Sequence, residues 1–269
     1  MVRRPVVAGQ FYSSSRGSLE QEVGRLLSQS ARKADAIGAV SPHAGYIYSG
    51  RIASKVFGAI APKSTYVIIG PNHTGRGAQF SLDTSESWQT PLGNASLDLD
   101  LAKGILEHSE FIQEDREAHA FEHAIEVQLP FLQISTGQFK FVPLIVAYAD
   151  IDTYKAIGRE IAHAIQSSQL QGKVTIIASS DMTHYEPHAR AKEKDSIAIS
   201  AILKLDEEAL DRAVREFDIS MCGYAPTCIM LAAAKGLGAQ SARLIEYATS
   251  GDTSGDYSSV VGYAGLVVT

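Results

Sequence analysis

The stretch Ile37-Gly38-Ala39-Val40-Ser41-Pro42-His43-Ala44-Gly45-Tyr46 joins an apolar run, typical of a buried strand, to a turn that carries one histidine. Residues 66–75 and residues 174–185 repeat this design, with His73 and His184 in their turns. In an open α/β sheet, ligands bind outside the carboxyl ends of the strands. If the three strands are parallel neighbours, the three histidines share one cleft. Three imidazoles in one cleft indicate a metal site, proton transfer, or both.

The order of the predicted elements favours an α/β fold. Strand-like apolar runs alternate with segments of helical periodicity, and neither a linker-like composition nor a fixed-period repeat interrupts them. The last two predicted strands, residues 243–249 and 260–268, need not be parallel to the others. We therefore expect a single domain, residues 1–269, with a central mixed β-sheet flanked by helices.

Three segments between the strands carry more specific predictions. Residues 18–33 begin with capping-box spacing, which predicts a helix. Residues 122–133 also have helical spacing, and Pro130 should kink that helix. Residues 75–96 are rich in glycine, serine and threonine, which predicts irregular hairpins or a long functional loop.

The composition excludes several classes of function. The chain has 269 residues, a formal net charge of −6 and no run of Lys or Arg longer than two residues. It therefore lacks an electrostatic footprint for nucleic acid or for an anionic membrane. Its two cysteines, Cys222 and Cys228, favour a reducing compartment over a disulfide framework. No apolar stretch approaches the roughly 20 residues that span a bilayer and no signal-peptide pattern is present, so we expect a cytoplasmic protein.

Each candidate site residue has both a functional and a structural interpretation. His43 is followed by Gly45, which allows the close backbone approach that ligand-binding turns use, but a turn histidine also bonds to backbone. The glycine-rich turn of His73 lacks the lysine of a P-loop, so it does not indicate a nucleotide site. His184 follows Asp181 by three residues, and a nearby carboxylate suits a general acid or base. The alternative is a surface histidine paired with an acid.

Cys222 lies in a turn just before a predicted helix at residues 225–235. The amino terminus of a helix lowers the pKa of a thiol, so a thiolate is one interpretation of this residue. The other is a small buried apolar side chain, which is the commonest role of a free cysteine. Cys228 lies inside the apolar helix, where the second interpretation is favoured.

The pentapeptide His119-Ala120-Phe121-Glu122-His123 matches the H-x-x-E-H pattern of inverzincin metalloproteases. On one helix, His119 and His123 would share a face and bind zinc, with Glu122 as the base. A downstream carboxylate such as Glu160 would then be the third ligand. Alternatively, His123 points into the histidine cleft from its rim.

Seven motifs in order make the chain similar to the Memo family, which is related in fold to the class III extradiol dioxygenases. The resemblance runs nearly from end to end. The matching segments are residues 4–12, 42–46, 70–73, 88–93, 122–131, 179–184 and 249–252.

The resemblance implies an extradiol-dioxygenase-like sheet with a metal site in its cleft. In the dioxygenases, two histidines and a glutamate hold Fe(II), and another histidine is the acid or base. His43 and His73 match the histidine ligands, His184 the acid or base, and His123 a further pocket histidine. Cys222 falls where the dioxygenases have their carboxylate. A thiolate is a softer ligand than a carboxylate, so iron, copper or zinc would suit the site.

These observations predict a metal-dependent redox protein that acts on a small molecule, with iron at His43, His73 and Cys222. His184, assisted by Asp181, would transfer protons, and Tyr46 and Trp88 would line the pocket. The rival hypothesis is a non-catalytic protein that uses the same cleft to hold a peptide or a metal. The resemblance also suggests a radical-SAM protein and its small companion as partners in one pathway.

Overall fold

A mixed β-sheet forms the centre of the computed structural model, which describes residues 2–27 and 33–269. Twelve strands are present in this part of the chain. They are β1 (Val2–Arg3), β2 (Gly38–Ser41), β3 (Thr65–Pro71), β4 (Phe80–Leu82), β5 (Ser87–Thr90), β6 (Gly93–Leu97), β7 (Gln113–Glu114), β8 (Lys140–Val146), β9 (Val174–Ser179), β10 (His184–Glu186), β11 (Ala242–Thr249) and β12 (Val260–Val268).

The strand order along the main path of the sheet is β1-β5-β6-β8-β3-β9-β2-β12-β10. Strand β9 lies between β3 and β2 and is parallel to both, and β8 is parallel to β3 on the other side. Strand β12 is antiparallel to β2, to β10 and to β11. The predictions of a mixed sheet and of a single α/β domain are confirmed, and the three strands before the histidine turns are parallel neighbours.

Helices cover both faces of the sheet. They are α1 (Arg16–Leu27), α2 (Tyr46–Ala59), α3 (Leu99–His108), α4 (Leu129–Ser135), α5 (Ile151–Ser167), α6 (His188–Leu203), α7 (Glu207–Glu216), α8 (Tyr224–Gly236) and the short α9 (Gly251–Ser254). Helices α1, α2 and α4 contact one another, while α5 contacts α3 and α8 and α7 packs on α8.

Side chains on the central strands alternate between two apolar cores. Along β3, Val67 and Ile69 belong to the larger core, and Tyr66 and Ile68 belong to the second. Every residue of β3 is buried, as expected for a parallel strand with helices on both faces. The apolar runs in the sequence thus encode central strands that are buried along their whole length.

The segment between β7 and β8 differs from the prediction. Instead of one helix over residues 122–133, the chain forms an irregular turn, one turn of 3₁₀-helix at Glu126–Gln128, and then α4. Pro130 lies in the first turn of α4, where its missing N–H has no intrahelical partner to lose. It therefore helps to start a helix rather than to kink one.

Helix α1 and the region of residues 75–96 can also be compared with their predictions. Helix α1 begins at Arg16, two residues before the predicted capping serine, and the predicted stretch 28–32 lies outside the described residues. The predicted hairpin region, residues 75–96, contains β4, β5 and most of β6, with β5 and β6 forming an antiparallel hairpin. Among the described helices, none has both the length and the apolar character needed to cross a bilayer.

The packing of α5 on α8 yields a stability prediction at Gly158. A Cβ atom at this position would lie 2.6 Å from Ala232 Cβ and 2.7 Å from the carbonyl oxygen of Ile229. We expect Gly158→Ala to lower the free energy of unfolding by about 1–3 kcal/mol, because the two helices must move apart. Urea unfolding followed by circular dichroism measures this change.

Gly104→Ala is the matched control for Gly158→Ala. Gly104 is also helical, in α3, but the nearest atom to its added Cβ is Ser168 Oγ at 3.6 Å. This variant should be neutral or more stable by up to about 1 kcal/mol, because alanine favours helix more than glycine does. Equal losses in both variants would contradict close helix contact at Gly158.

Candidate metal centre

Two imidazoles and one thiol converge at the carboxyl ends of the central parallel strands. His43 follows β2, His73 follows β3, and Cys222 lies in the loop before α8. One ligand atom from each residue lies within 4.8 Å of the other two. The Cys222 loop packs tightly on the end of β9, because a Cβ atom at Gly223 would lie 2.3 Å from the carbonyl oxygen of Ser179. The side chains that the resemblance assigns to the metal therefore share one location.

His43 is held in the interior by three polar contacts. Its backbone N–H donates to Asp181 Oδ1 at 2.8 Å, and its ring Nδ1 lies 2.9 Å from Ser179 Oγ. Its ring Nε2 lies 3.2 Å from Cys222 Sγ. Only 2% of the residue is exposed, so the ring cannot turn away to solvent. Nε2 is thus the nitrogen that faces the convergence point.

His73 takes its orientation from Glu122. Its ring Nδ1 lies 2.9 Å from Glu122 Oε1, and its backbone N–H donates to Glu122 Oε2 at 2.7 Å. The backbone N–H groups of His123 and Ala124 also donate to this carboxylate. A carboxylate only accepts hydrogen bonds when ionised, so Nδ1 carries the proton and Nε2 is free. This pairing of an imidazole with a carboxylate is usual for metal-binding histidines.

His123 is a third imidazole beside the other two. Its ring centroid lies 5.5 Å from that of His43 and 4.9 Å from that of His73, and Phe11 packs against it at 4.9 Å. His73, Glu122 and His123 form a second group with ligand spacing. Because the Glu122 oxygens already accept four N–H groups, we interpret Glu122 as an orienting residue rather than as a ligand.

His184 lies at the more exposed side of the cluster. Its ring Nδ1 is 2.9 Å from the carbonyl oxygen of Ser220, and its backbone N–H donates to Ser220 Oγ at 2.8 Å. A carbonyl can only accept, so Nδ1 is the donor and Nε2 is free. Asp181, which the sequence predicts to assist His184, accepts from the backbone N–H of His43. His184 and Asp181 interact through charge only.

Electrostatics favour the neutral forms of His43 and Cys222 and the charged form of His73. Burial, reinforced by the neighbouring imidazoles, holds the pKa of His43 well below its usual range. Burial and the charge of Asp181 raise the pKa of the Cys222 thiol far above its usual value. Burial alone would lower the pKa of His73, but the hydrogen bond and charge of Glu122 outweigh it and raise that pKa. Cys222 and His43 therefore do not form a thiolate–imidazolium pair of the kind that activates a cysteine nucleophile.

Asp181 is the buried acid of the site. Burial raises its pKa to about 6, against the opposing effects of the N–H group of His43 and the charge of His184. Its side chain is only 4% exposed. A negative charge is therefore available at this position near neutral pH, directly beside His43.

Tyr46 and Trp88, predicted to line the pocket, lie in the interior instead. Trp88 is completely buried, donates from Nε1 to Asp83 Oδ2 at 2.7 Å, and lies under the Arg3 guanidinium. Tyr46 is 4% exposed and donates its hydroxyl to the carbonyl oxygen of Val127 at 2.6 Å. Both side chains pack behind the site, so the pocket-wall prediction is wrong for them.

The geometry also removes the basis of the zinc protease hypothesis. Residues 119–123 form an irregular turn, so His119 and His123 do not lie four apart on a helix. His119 is 1% exposed, and its Nε2 lies 2.9 Å from the carbonyl oxygen of Ser81. Burial lowers its pKa to about 4. Among the described residues, His119 belongs to neither group with ligand spacing.

A buried ion pair that was not predicted from the sequence holds this turn in place. Arg3 pairs with Glu126 and also donates to the carbonyl oxygens of His119 and Glu122. Glu126 further accepts from the N–H groups of Val6 and Val7 and from the Tyr12 hydroxyl. The sequence did contain a signal, because Glu126 lies among apolar residues and a buried acid needs a partner.

Comparison with known proteins finds relatives that align with nearly the whole chain. It is 46% identical to a MEMO1 family protein of Methanosarcina acetivorans, over 99% of both chains. It is 42% identical to a MEMO1 family protein of Pyrobaculum aerophilum, over 99% of this chain and 98% of the other. A crystal structure of an uncharacterised Escherichia coli K12 protein shares the fold, with a TM-score of 0.56 at 14% identity; the match covers 86% of this chain and 98% of that one.

The family comparison covers almost all of the sequence. The model of the Memo-like protein family matches residues 3–267. This range includes the three histidine turns and the cysteine loop described above. The chain therefore belongs to the Memo-like protein family.

Proposed function

We propose that this protein binds a transition-metal cation through His43, His73 and Cys222 and uses it in redox chemistry on a small molecule. The observation that supports this proposal is the convergence of three ligand atoms within 4.8 Å. Two of the donors are imidazoles, and the His73 ring has its other nitrogen bonded to an acceptor. Such support is typical of metal-binding histidines.

The chemistry of the donors restricts the choice of cation. Magnesium and calcium prefer oxygen ligands, whereas imidazole and thiolate suit iron, copper and zinc. We propose ferrous iron, because three protein ligands leave coordination positions open for other molecules, as in the non-haem iron sites that the fold resembles. When bound there, ferrous iron would supply one-electron and dioxygen chemistry.

The remaining side chains are suited to handling protons. His184 presents a free Nε2 at the more exposed edge of the cluster, which suits proton exchange with a substrate. Burial lowers the pKa of His123, so its ring is neutral and able to accept a proton. The contact with Phe11 restricts the orientation of this ring. We propose His184 as the main proton-transfer residue and His123 as the second.

Metal binding should depend on each of the three proposed ligands. We expect metal-free protein to bind ferrous iron anaerobically at one site. His43→Ala, His73→Ala and Cys222→Ser should each weaken binding by at least about 100-fold, because each removes one donor from a three-donor site. Calorimetric titration measures the affinities, with copper, zinc and magnesium as comparison cations.

His119→Ala and His108→Ala are the controls for metal binding. His119 bonds to a backbone carbonyl and His108 is exposed on α3, so neither change should alter the affinity. If metal were lost only on substitution of His119 or His123 by alanine, the result would instead support the zinc protease hypothesis. No binding of any of these cations would contradict the proposed function.

Metal binding should also release a proton and tighten as the pH rises. The raised pKa of Cys222 keeps the thiol protonated at neutral pH, and a metal binds the thiolate. We expect about one proton to be released per metal near pH 7, with somewhat more below neutral pH because the His73 pKa is raised. Calorimetry in buffers of different ionisation enthalpy counts these protons, and Cys222→Ser should release fewer.

Redox turnover should require His184, whereas metal binding should not. We expect His184→Asn to retain iron but to lower the rate of dioxygen consumption with an active small molecule by about 10²- to 10⁴-fold. An oxygen electrode and a panel of catecholic compounds provide the assay. A metal-loaded protein that turns over no member of a broad panel would favour the non-catalytic binding hypothesis.

A further inference from the structure

The tautomer of His43 determines which ring nitrogen this side chain can offer to a cation. A neutral imidazole has one N–H donor and one bare nitrogen, and only the bare nitrogen binds a metal. For His73 and His184, the partner of Nδ1 can only accept, so the tautomer follows directly. The Nδ1 atom of His43 faces the Ser179 hydroxyl, which is able to donate or to accept. Its tautomer therefore depends on the other partners of that hydroxyl.

The hydroxyl proton of Ser179 is already engaged elsewhere. Ser179 Oγ lies 2.6 Å from the carbonyl oxygen of Ala124. Two neutral oxygens come this close when a proton lies between them, and the carbonyl has no proton to give. Ser179 therefore donates to Ala124, and its two lone pairs remain as acceptors.

Gln128 occupies one of these two lone pairs. Its Nε2 lies 2.8 Å from Ser179 Oγ and 3.0 Å from the carbonyl oxygen of Pro42. Because this end of the amide faces a carbonyl, it must be the NH₂ end, and the Oε1 end accepts from Ser41 Oγ at 2.8 Å. Gln128 is completely buried, so solvent does not compete for these bonds.

We infer that Ser179 and Gln128 are positioning residues that hold His43 as its Nδ1–H tautomer and leave Nε2 bare toward Cys222. The remaining lone pair of Ser179 accepts the Nδ1–H of His43, which satisfies all three partners of the hydroxyl. The opposite tautomer would place two lone pairs 2.9 Å apart in a buried site, which leaves both unsatisfied. Gln128 also donates to the carbonyl oxygen of Pro42 and therefore links the residue before His43 to Ser179, the acceptor of the His43 ring.

The consequence of this arrangement for metal affinity rests on the proposed function, but the tautomer itself does not. Long-range ¹H–¹⁵N NMR correlations distinguish the two nitrogens of each histidine in the metal-free protein. The assignment of His43 comes from comparison with His43→Ala. We expect the protonated nitrogen of His43 to be Nδ1. Protonation of Nε2 in the wild-type protein would overturn the inference, whether or not the protein binds metal.

Ser179→Ala removes the acceptor, and Thr175→Val is the matched control. Thr175 lies on the same strand, is equally buried, and donates to the carbonyl oxygen of Ala36, away from the site. In Ser179→Ala, we expect the Nε2–H tautomer to become populated, because Nε2–H then has Cys222 Sγ as its acceptor. Ferrous iron should bind about 10- to 100-fold more weakly, as for other losses of a supporting hydrogen bond. Thr175→Val should retain both the tautomer and the affinity.

The remaining outcomes separate positioning from general destabilisation. Circular dichroism and thermal unfolding show whether each variant folds, and Ser179→Thr restores the hydroxyl if the alanine variant does not. A folded Ser179→Ala protein with an unchanged tautomer and unchanged affinity would overturn the positioning role. Equal losses of affinity in Ser179→Ala and Thr175→Val would overturn it as well. An absence of iron binding in the wild type would contradict the proposed function alone.

Discussion

The candidate site depends on one constraint: strands β2 and β3 lie on either side of β9, and each pairs with it in parallel. In this register, Ser41 at the end of β2 lies opposite Ser179 at the end of β9. The turns that follow these strands therefore leave the sheet at the same edge, and their backbone directions carry His43 and His73 toward each other. A strand inserted between them would separate the two rings by roughly another 4.8 Å, the spacing of neighbouring strands. The distances between the proposed ligands are thus a consequence of strand order.

A second layer of polar contacts keeps the turns in place once the sheet has formed. The contacts that orient His43, His73 and His184 join residues far apart in sequence, from 36 positions between His184 and Ser220 to 179 between His43 and Cys222. The amino-terminal segment contributes through Arg3, which crosses 123 positions to reach Glu126. Removing one partner of such a buried pair leaves the other charge unpaired. The site is therefore complete only when the amino-terminal segment and the Cys222 loop have packed against the central strands.

The sequence predicted those parts of the site that have a local signal. Buried parallel strands appear as apolar runs, and His43 and His73 follow two of these runs directly. Position along the chain and the apolar pattern were therefore sufficient to predict that these histidines lie at one edge of the sheet. Cys222 carries no such signal and was assigned through resemblance alone. Glu122 was interpreted as the base of a zinc motif, since that pattern presupposes a helix; the turn that forms instead aims its carboxylate at His73. Trp88 was expected to line a pocket, but it lies on β5 of the β5–β6 hairpin and its indole is completely buried. Such outcomes depend on tertiary hydrogen bonds, which local sequence does not encode.

Charge balance explains why a thiol and a buried acid occur together at this site. A divalent cation held by two neutral imidazoles and one thiolate would keep one net positive charge, which is costly to bury. Two buried carboxylates face that charge without occupying a coordination position: Glu122 on His73 Nδ1 and Asp181 on the backbone N–H of His43. In the metal-free protein the Asp181 carboxylate helps to keep the Cys222 thiol protonated, because two adjacent negative charges repel. The arrangement therefore suits both states: Cys222 and His43 are neutral without the cation, and with it the positive charge would lie between two buried carboxylates.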